Sequence, residues 1–214
     1  MGGYFGALHT PGGYVIADVA SAIQKEIRRG HEREALFWVT EIDLAGYTEY
    51  VWNRLRIIAS EDVGVGDPTA VMLVRVLYDN WAQRIKKEKA SAKAGRELPP
   101  ESRLYLIHAV QALCRARKCR MVDHAYMLFY EGDRRAIGPK DIPDYAMDGH
   151  THRGKKLGRG PEYFVNVSSK LENMADLEDP YEKEGNAAHL ASNGGRVIPE
   201  YAEQQEFELA DSVK

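Results

Sequence analysis

Cysteine is nearly absent: the 214 residues hold two, Cys114 and Cys119, five positions apart in a basic, helix-compatible stretch. So small a supply excludes the disulfide framework of a secreted domain and points to a reducing cytoplasm. Long apolar runs are missing too. No stretch approaches the roughly 18 residues that a membrane span requires, and Met1 to Thr10 lacks the charged start and apolar core of a signal peptide. The chain is therefore expected to be soluble, cytoplasmic and without membrane contact. Nineteen glycines and nine prolines are too few for a collagen-like or low-complexity chain, and 44% apolar with 29% charged residues is a globular composition. At this length one domain with an appendage is expected.

The strong catalytic and metal signatures are also missing: no P-loop lysine motif, no GxSxG elbow, no HExxH pair and no CxxC knuckle. Gly64-Val65-Gly66 lies within helical sequence, with no preceding strand to present phosphates. Asp148, His150 and His152 gather a carboxylate and two imidazoles, yet nothing announces the third and fourth ligands of a structural zinc site. No metal, no cofactor and no enzymatic activity are expected.

What is present is helical periodicity. Ile16, Val19, Ala20, Ile23 and Ile27 recur at helical spacing, and Gly30 follows as a stop. A second helix is read from His31 to Ala45 on Ala35, Leu36, Val39 and Ile42, ended by Gly46; a third runs from Thr48 to about Asp62 on Val51, Leu55, Ile58 and Ala59, with Thr48 as its cap. Asp67 and Pro68 open a long helix on Val71, Val74, Leu77, Tyr78, Trp81 and Ile85, which is expected to fray from Lys86 to Pro100. Two more are read over Glu101–Arg117 (Leu104, Ile107, His108, Gln111, Cys114 inward) and Cys119–Tyr130 (Val122, Ala125, Tyr126, Phe129 inward). A short helix is read from Asp144 to Leu157. Strand-like alternation is absent and the connections are short, so the fold class is all-α, a helical bundle or array. The expected layout is an N-terminal arm (1–13), a helical domain (14–163) and an acidic, extended or partly disordered tail (164–214).

Charge is unevenly distributed. Residues 171–214 carry eleven acidic residues against Lys183, Arg196 and Lys214, a balance of −8 that leaves the first 170 residues at +5. Two basic clusters, Arg115, Arg117, Lys118 and Arg120, then His150, His152, Arg153, Lys155, Lys156 and Arg159, are candidates for phosphate or nucleic-acid contact, with solvated helix ends as the plain reading. Glu61 and Asp62 oppose the dipole at a helix C-terminus, which calls for partners such as Arg54, or for a capping role across the turn; a structural role is favoured over a catalytic dyad.

The stretches Ile23-Gln24-Lys25-Glu26-Ile27-Arg28-Arg29-Gly30, Ala35-Leu36-Phe37-Trp38 and Arg54 through Ser60-Glu61-Asp62-Val63-Gly64-Val65-Gly66-Asp67-Pro68 resemble the C-terminal helical region of the replication-associated recombination protein A family of clamp-loader-like AAA+ ATPases. The likeness continues more weakly through Ala109–Ala125 and Ile142–Gly160. It makes Arg54, Ser60, Glu61, Asp62, Gly64, Asp67 and Pro68 a motif of structural character. The ATPase modules are missing, the Lys86–Pro100 insertion is unfamiliar and the acidic tail has no counterpart. The resemblance implies a collar-like domain that oligomerises, with a tetramer favoured, and Phe37, Trp38, Tyr50 and Trp52 in its core or subunit interface. Met1 and the tail lead us to expect a complete gene product.

Two functions of different class follow. One is a non-catalytic homo-oligomer serving DNA replication, recombination or repair through protein contacts, including a full-length AAA+ ATPase relative, and through DNA. The other is a small-ligand or nucleotide-binding protein that reuses the scaffold, with the His150–Arg159 loop over a pocket between subunits.

Overall fold

The structure, a computed structural model, describes residues 8–191 apart from 97 and 140. Gly30 shows how its helices are punctuated. At φ 77° it adopts the left-handed conformation that glycine tolerates best, and its turn closes with Gly30 N–H on Ile27 O and His31 N–H on Glu26 O. This ends α1 (Ile16–Arg29), whose inward stripe is the expected one with Gln24 added, and folds α2 (Glu32–Leu44) back against it. Val51, Trp52, Leu55 and Ile58 bury one face of α3 (Thr48–Ile58). Thr48 caps nothing there; its hydroxyl donates to Asp43 Oδ1 at 2.6 Å. The chain continues through a wide turn, Ala59–Val63, where Gly64 N–H reaches Ala59 O, and a tight turn, Gly64–Gly66.

Asp67 accepts from Ala70 N–H at 3.0 Å and Pro68 takes the first position of α4 (Pro68–Lys93), as expected. This helix does not fray at Lys86. Lys, Ala and Glu are strong helix formers, and the last turns have a task. Glu88 accepts the Ser102 N–H at 3.0 Å and the Ser102 hydroxyl at 2.7 Å, capping α5 (Ser102–Arg115) from a neighbouring helix. Arg84 pairs with both Glu88 and Glu101. Burial pushes the Glu88 carboxyl up, but the Ser102 and Arg84 donors outweigh it and hold it below the ordinary value.

The buried stripe of α5 is Ser102, Leu106, Ala109, Val110, Leu113 and Cys114, and Leu104, expected inward, is 66% exposed. Tyr105, Leu106 and Ile107 offer apolar groups on several faces, and the flanking helices decide: α5 packs along α4 on one side and against α2 and α1 on the other. After α5 comes α6 (Met121–Tyr126), extended by a wide turn, Met127–Glu131, and then the single turn α7 (Arg134–Ile137). Here the expected inward face is wrong. Val122, Ala125, Tyr126 and Phe129 are all exposed.

The described residues fall into two compact units, one up to residue 136 and one from residue 137 on. In the second unit the stretch read as one helix forms a tight turn, Asp144–Ala146, and α8 (His152–Lys156), capped by Thr151, whose hydroxyl accepts from Gly154 N–H at 2.9 Å. A Cβ on Gly154 would lie 1.7 Å from Asp148 O, so the glycine permits this close approach. Beyond it lie α9 (Pro161–Tyr163), a wide turn Phe164–Ser168, and α10 (Glu182–Ala191). Glu182 and Glu184 in the first turn of α10 suit the helix dipole, so residues 164–191 are not wholly extended. The rest of the expected tail, and residues 1–7 of the expected arm, lie outside the described residues. Among the described residues, a single bridge between His9 and Val15 is the whole of the β-structure, and no helix is long and apolar enough to cross a membrane.

Burial separates the two thiols. Cys114 is buried and pushed up to about 11, whereas Cys119 is half-buried. In the folded chain at pH 8, iodoacetamide is expected to label Cys119 and spare Cys114, with both labelled in guanidinium. Mass spectrometry of the peptides checks this, and equal native rates would contradict it.

Candidate functional site

The inward stripe of α3 and its wide turn comprises Val51, Trp52, Leu55, Ile58, Ala59 and Val63, and Asp62 falls on the same stripe with 0% of its surface exposed. A carboxylate desolvated to that extent must be paired. Arg28 of α1 donates Nε to Asp62 Oδ1 at 2.6 Å, and its Nη2 reaches Glu61 Oε1 at 3.2 Å. Gln24, one turn earlier, donates Nε2 to Asp62 Oδ2 at 3.2 Å. Arg120, just before α6, sets its Nε 3.7 Å from Asp62 Oδ1 and its Nη2 3.6 Å from Glu61 Oε1, and also pairs with Asp123. The hydrogen bond to Asp62 holds the Arg28 guanidinium above its ordinary value.

Backbone contacts complete the junction. Asp62 O accepts from Cys119 N–H at 2.9 Å. A Cβ on Gly66 would lie 2.7 Å from Arg117 O and 2.9 Å from Cys119 Cβ, so the glycine lets the 116–120 loop lie against the tight turn. Gly64 likewise faces Val122. The motif of the sequence reading is thus a three-way joint between α1, the end of α3 and the loop into α6. Arg54 does not pair with Glu61 or Asp62; its Nη2 donates to Gln24 Oε1 at 2.6 Å and braces the residue that holds Asp62. Ser60 is exposed, and Asp67 with Pro68 starts α4. Arg28, Gln24 and Arg120 thus occupy the two carboxylates.

The candidate phosphate-binding residues fall in different units and different circumstances. In the first unit, Arg115 grips Glu32 through two bonds of 2.6 and 3.0 Å, and together with Gln111 holds that carboxyl below its ordinary value. Lys118 donates Nζ to the carbonyls of Leu113, Cys114 and Ala116 at 2.7 to 2.9 Å, closing the C-terminus of α5, and burial lowers its pKa. Arg120 serves Asp62. Arg117 is exposed, and its side chain makes no hydrogen bond or ion pair among the described residues.

In the second unit, His150 Nδ1 lies 3.0 Å from Asp148 Oδ2, holding that carboxyl below its ordinary value. Arg159 grips Asp144 through two bonds of 2.6 and 2.7 Å, and Tyr163 adds its hydroxyl at 2.9 Å. His152, Arg153, Lys155 and Lys156 are exposed, and their side chains make no hydrogen bond or ion pair among the described residues. No group of three His, Cys, Asp or Glu among the described residues is placed to hold a metal ion.

Gln24 and Arg28 are the partners that sequence reasoning did not assign. A signal existed: Gln24 lies within the apolar stripe of α1 and Asp62 within that of α3, and two polar groups on buried faces need one another. Removing Asp62 takes the acceptor from Gln24 and from Arg28 Nε, while Arg28 keeps Glu61 and Arg120 keeps Asp123. Asp62→Ala is expected to cost about 2–3 kcal/mol, read from urea unfolding of the full chain. A loss under about 1 kcal/mol, the size of an exposed pair, would refute the joint.

Residues 31–183 match the family model described as MgsA AAA+ ATPase C terminal. Replication-associated recombination protein A of Bacillus subtilis (strain 168) is 33% identical over 159 residues, 72% of this chain and 34% of that protein. The protein of that name from Haemophilus influenzae (strain ATCC 51907 / DSM 11121 / KW20 / Rd) is 31% identical over 152 residues, 68% of this chain and 30% of its own length, and that of Escherichia coli (strain K12) is 30% identical over 147 residues, again 68% and 30%. The chain spans about a third of the length of these relatives. With 31–183 matched and the Asp62 joint built on the residues that carry the resemblance, this chain belongs to the MgsA AAA+ ATPase C-terminal family.

Proposed function

We propose that this chain works without catalysis, as an oligomeric helical module of the replication and recombination machinery that acts through protein contacts and holds DNA with its free cations. The supporting observation is surface apolarity in the first unit. Phe37 at 49% exposed and Tyr14 at 43% meet Trp38 edge to face, while Trp52 is wholly buried. Residues 121–130 leave seven further large apolar side chains in water. Surfaces of that extent on a folded protein mark contact with another macromolecule.

The DNA part rests on Arg117, Arg153, Lys155 and Lys156. Among the described residues their side chains make no hydrogen bond or ion pair, which leaves them to neutralise phosphates, whereas Arg115, Lys118 and Arg120 are engaged within the fold. Partner chemistry therefore comprises further copies, a full-length ATPase of the same family, and the nucleic-acid backbone. A tetramer is the favoured assembly.

Light scattering from low to physiological salt is expected to give a salt-resistant mass above that of the monomer, rising further with single-stranded or duplex DNA. A monomer at 50 µM would overturn the oligomeric reading. Replacing Arg153, Lys155 and Lys156 together by Ala is expected to weaken DNA binding and reduce its salt slope by roughly two to three. An unchanged slope would remove those residues from the DNA contact.

A further inference from the structure

We propose that residues 192–214 of this chain lie against the exposed cations of α8 and compete there with nucleic-acid phosphates, so that the chain carries its own inhibitor of DNA binding. This rests on the DNA reading above and adds its regulation. Charge, attachment point and length together select this segment as the occupant.

Residues 197–213 hold five carboxylates, Glu200, Glu203, Glu206, Glu208 and Asp211, and no Lys, Arg or His. Such a stretch is a polyanion, as a nucleic-acid strand is, and clustered cations attract both. Arg153, Lys155 and Lys156 of α8 are exposed, and among the described residues their side chains make no hydrogen bond or ion pair. The carboxylates that precede α8 in sequence are taken: Asp144 is gripped by Arg159 and Tyr163, and Asp148 by His150. Glu172, Asp176, Glu178, Glu182 and Glu184 are exposed and make no ion pair with these cations among the described residues, so none of them forestalls the contact.

The attachment point lies beside the cations. α10 packs on α9 and on the wide turn Phe164–Ser168, and His189 near its end sets its ring 5.0 Å from that of Phe164. The same phenyl ring meets His150 edge to face at 5.4 Å, and α8 begins two residues later. Chain leaving α10 at Ala191 therefore starts within reach of α8. Glu200 follows by nine residues, which span up to about 30 Å when extended. A tethered segment acts at roughly millimolar effective concentration. An intrinsic affinity of about 100 µM, the weak end of non-specific phosphate binding, is then enough to lower DNA affinity about tenfold.

The test is fluorescence anisotropy of labelled single-stranded and duplex DNA titrated with the full chain. Replacing Glu200, Glu203, Glu206 and Glu208 by Gln and Asp211 by Asn is expected to tighten binding about tenfold at roughly 50 mM salt, with the gain vanishing near 500 mM. Made in a chain that already carries Arg153→Ala, Lys155→Ala and Lys156→Ala, the same replacement is expected to change affinity less than about twofold. Without DNA, a carbodiimide is expected to join Lys155 or Lys156 to a carboxylate of residues 200–211 within one chain, and added DNA to suppress that cross-link. If the parent binds DNA and the neutralised tail alters neither affinity nor salt slope, the tail contact is wrong while the DNA reading stands. An equal gain in the triple-Ala chain would reveal general repulsion by a distant tail and overturn the contact as well. If no variant binds DNA, the DNA reading falls and the competition with it, whatever the cross-links show.

Discussion

A carboxylate removed from water must find opposite charge or hydrogen-bond donors within a few ångströms, and Asp62, wholly buried on an apolar stripe, sets that demand at the centre of the first unit. Two other parts of the chain answer it. Arg28 and Gln24 come from α1, Arg120 comes from the loop before α6, and the Asp62 carbonyl takes the Cys119 N–H. Apolar packing alone would let these elements slide; a buried ion cluster favours one register. The same turn carries Gly64 and Gly66, which give the incoming loop room to approach.

This demand sorts the basic residues. Arg120 and Lys118 look like a cationic patch along the chain, yet one neutralises Asp62 and the other closes the end of α5 through three carbonyls. Asp144 plays a smaller version of the part in the second unit. Arg159 and Tyr163 hold it below its ordinary value, while the neighbouring Arg153, Lys155 and Lys156 stay in solvent. Cations bound inside the fold and cations left outside it are one population in composition and two in surroundings.

The helices of the first unit were legible where one face is apolar and the other charged, as in α1, where the stripe from Ile16 to Ile27 is the buried one. Legibility failed where apolar groups surround the helix. In α5 the flanking helices chose the stripe through Leu106, Val110 and Leu113 and left Leu104 outside. In α6 the periodic residues were real but faced water, because periodicity reports a coherent face and not what covers it. The length of α4 was missed because the reason for it, Glu88 capping Ser102, lies between segments. Of the candidate site, the motif around Asp62 was readable as a contiguous stretch. Its partners were not, since Arg28 and Arg120 stand far from it along the chain.

By itself the sequence determined that the chain is all-α, where most helices start and stop, and which family it belongs to, since these follow from local periodicity, capping residues and a contiguous motif. Tertiary structure alone decided which carboxylate is buried, which arginines serve it, where the chain divides into two units and which apolar face remains in water. The physical reason is that burial and charge pairing are properties of distance in space, and in this fold the groups that meet at Asp62 come from three separate stretches of chain.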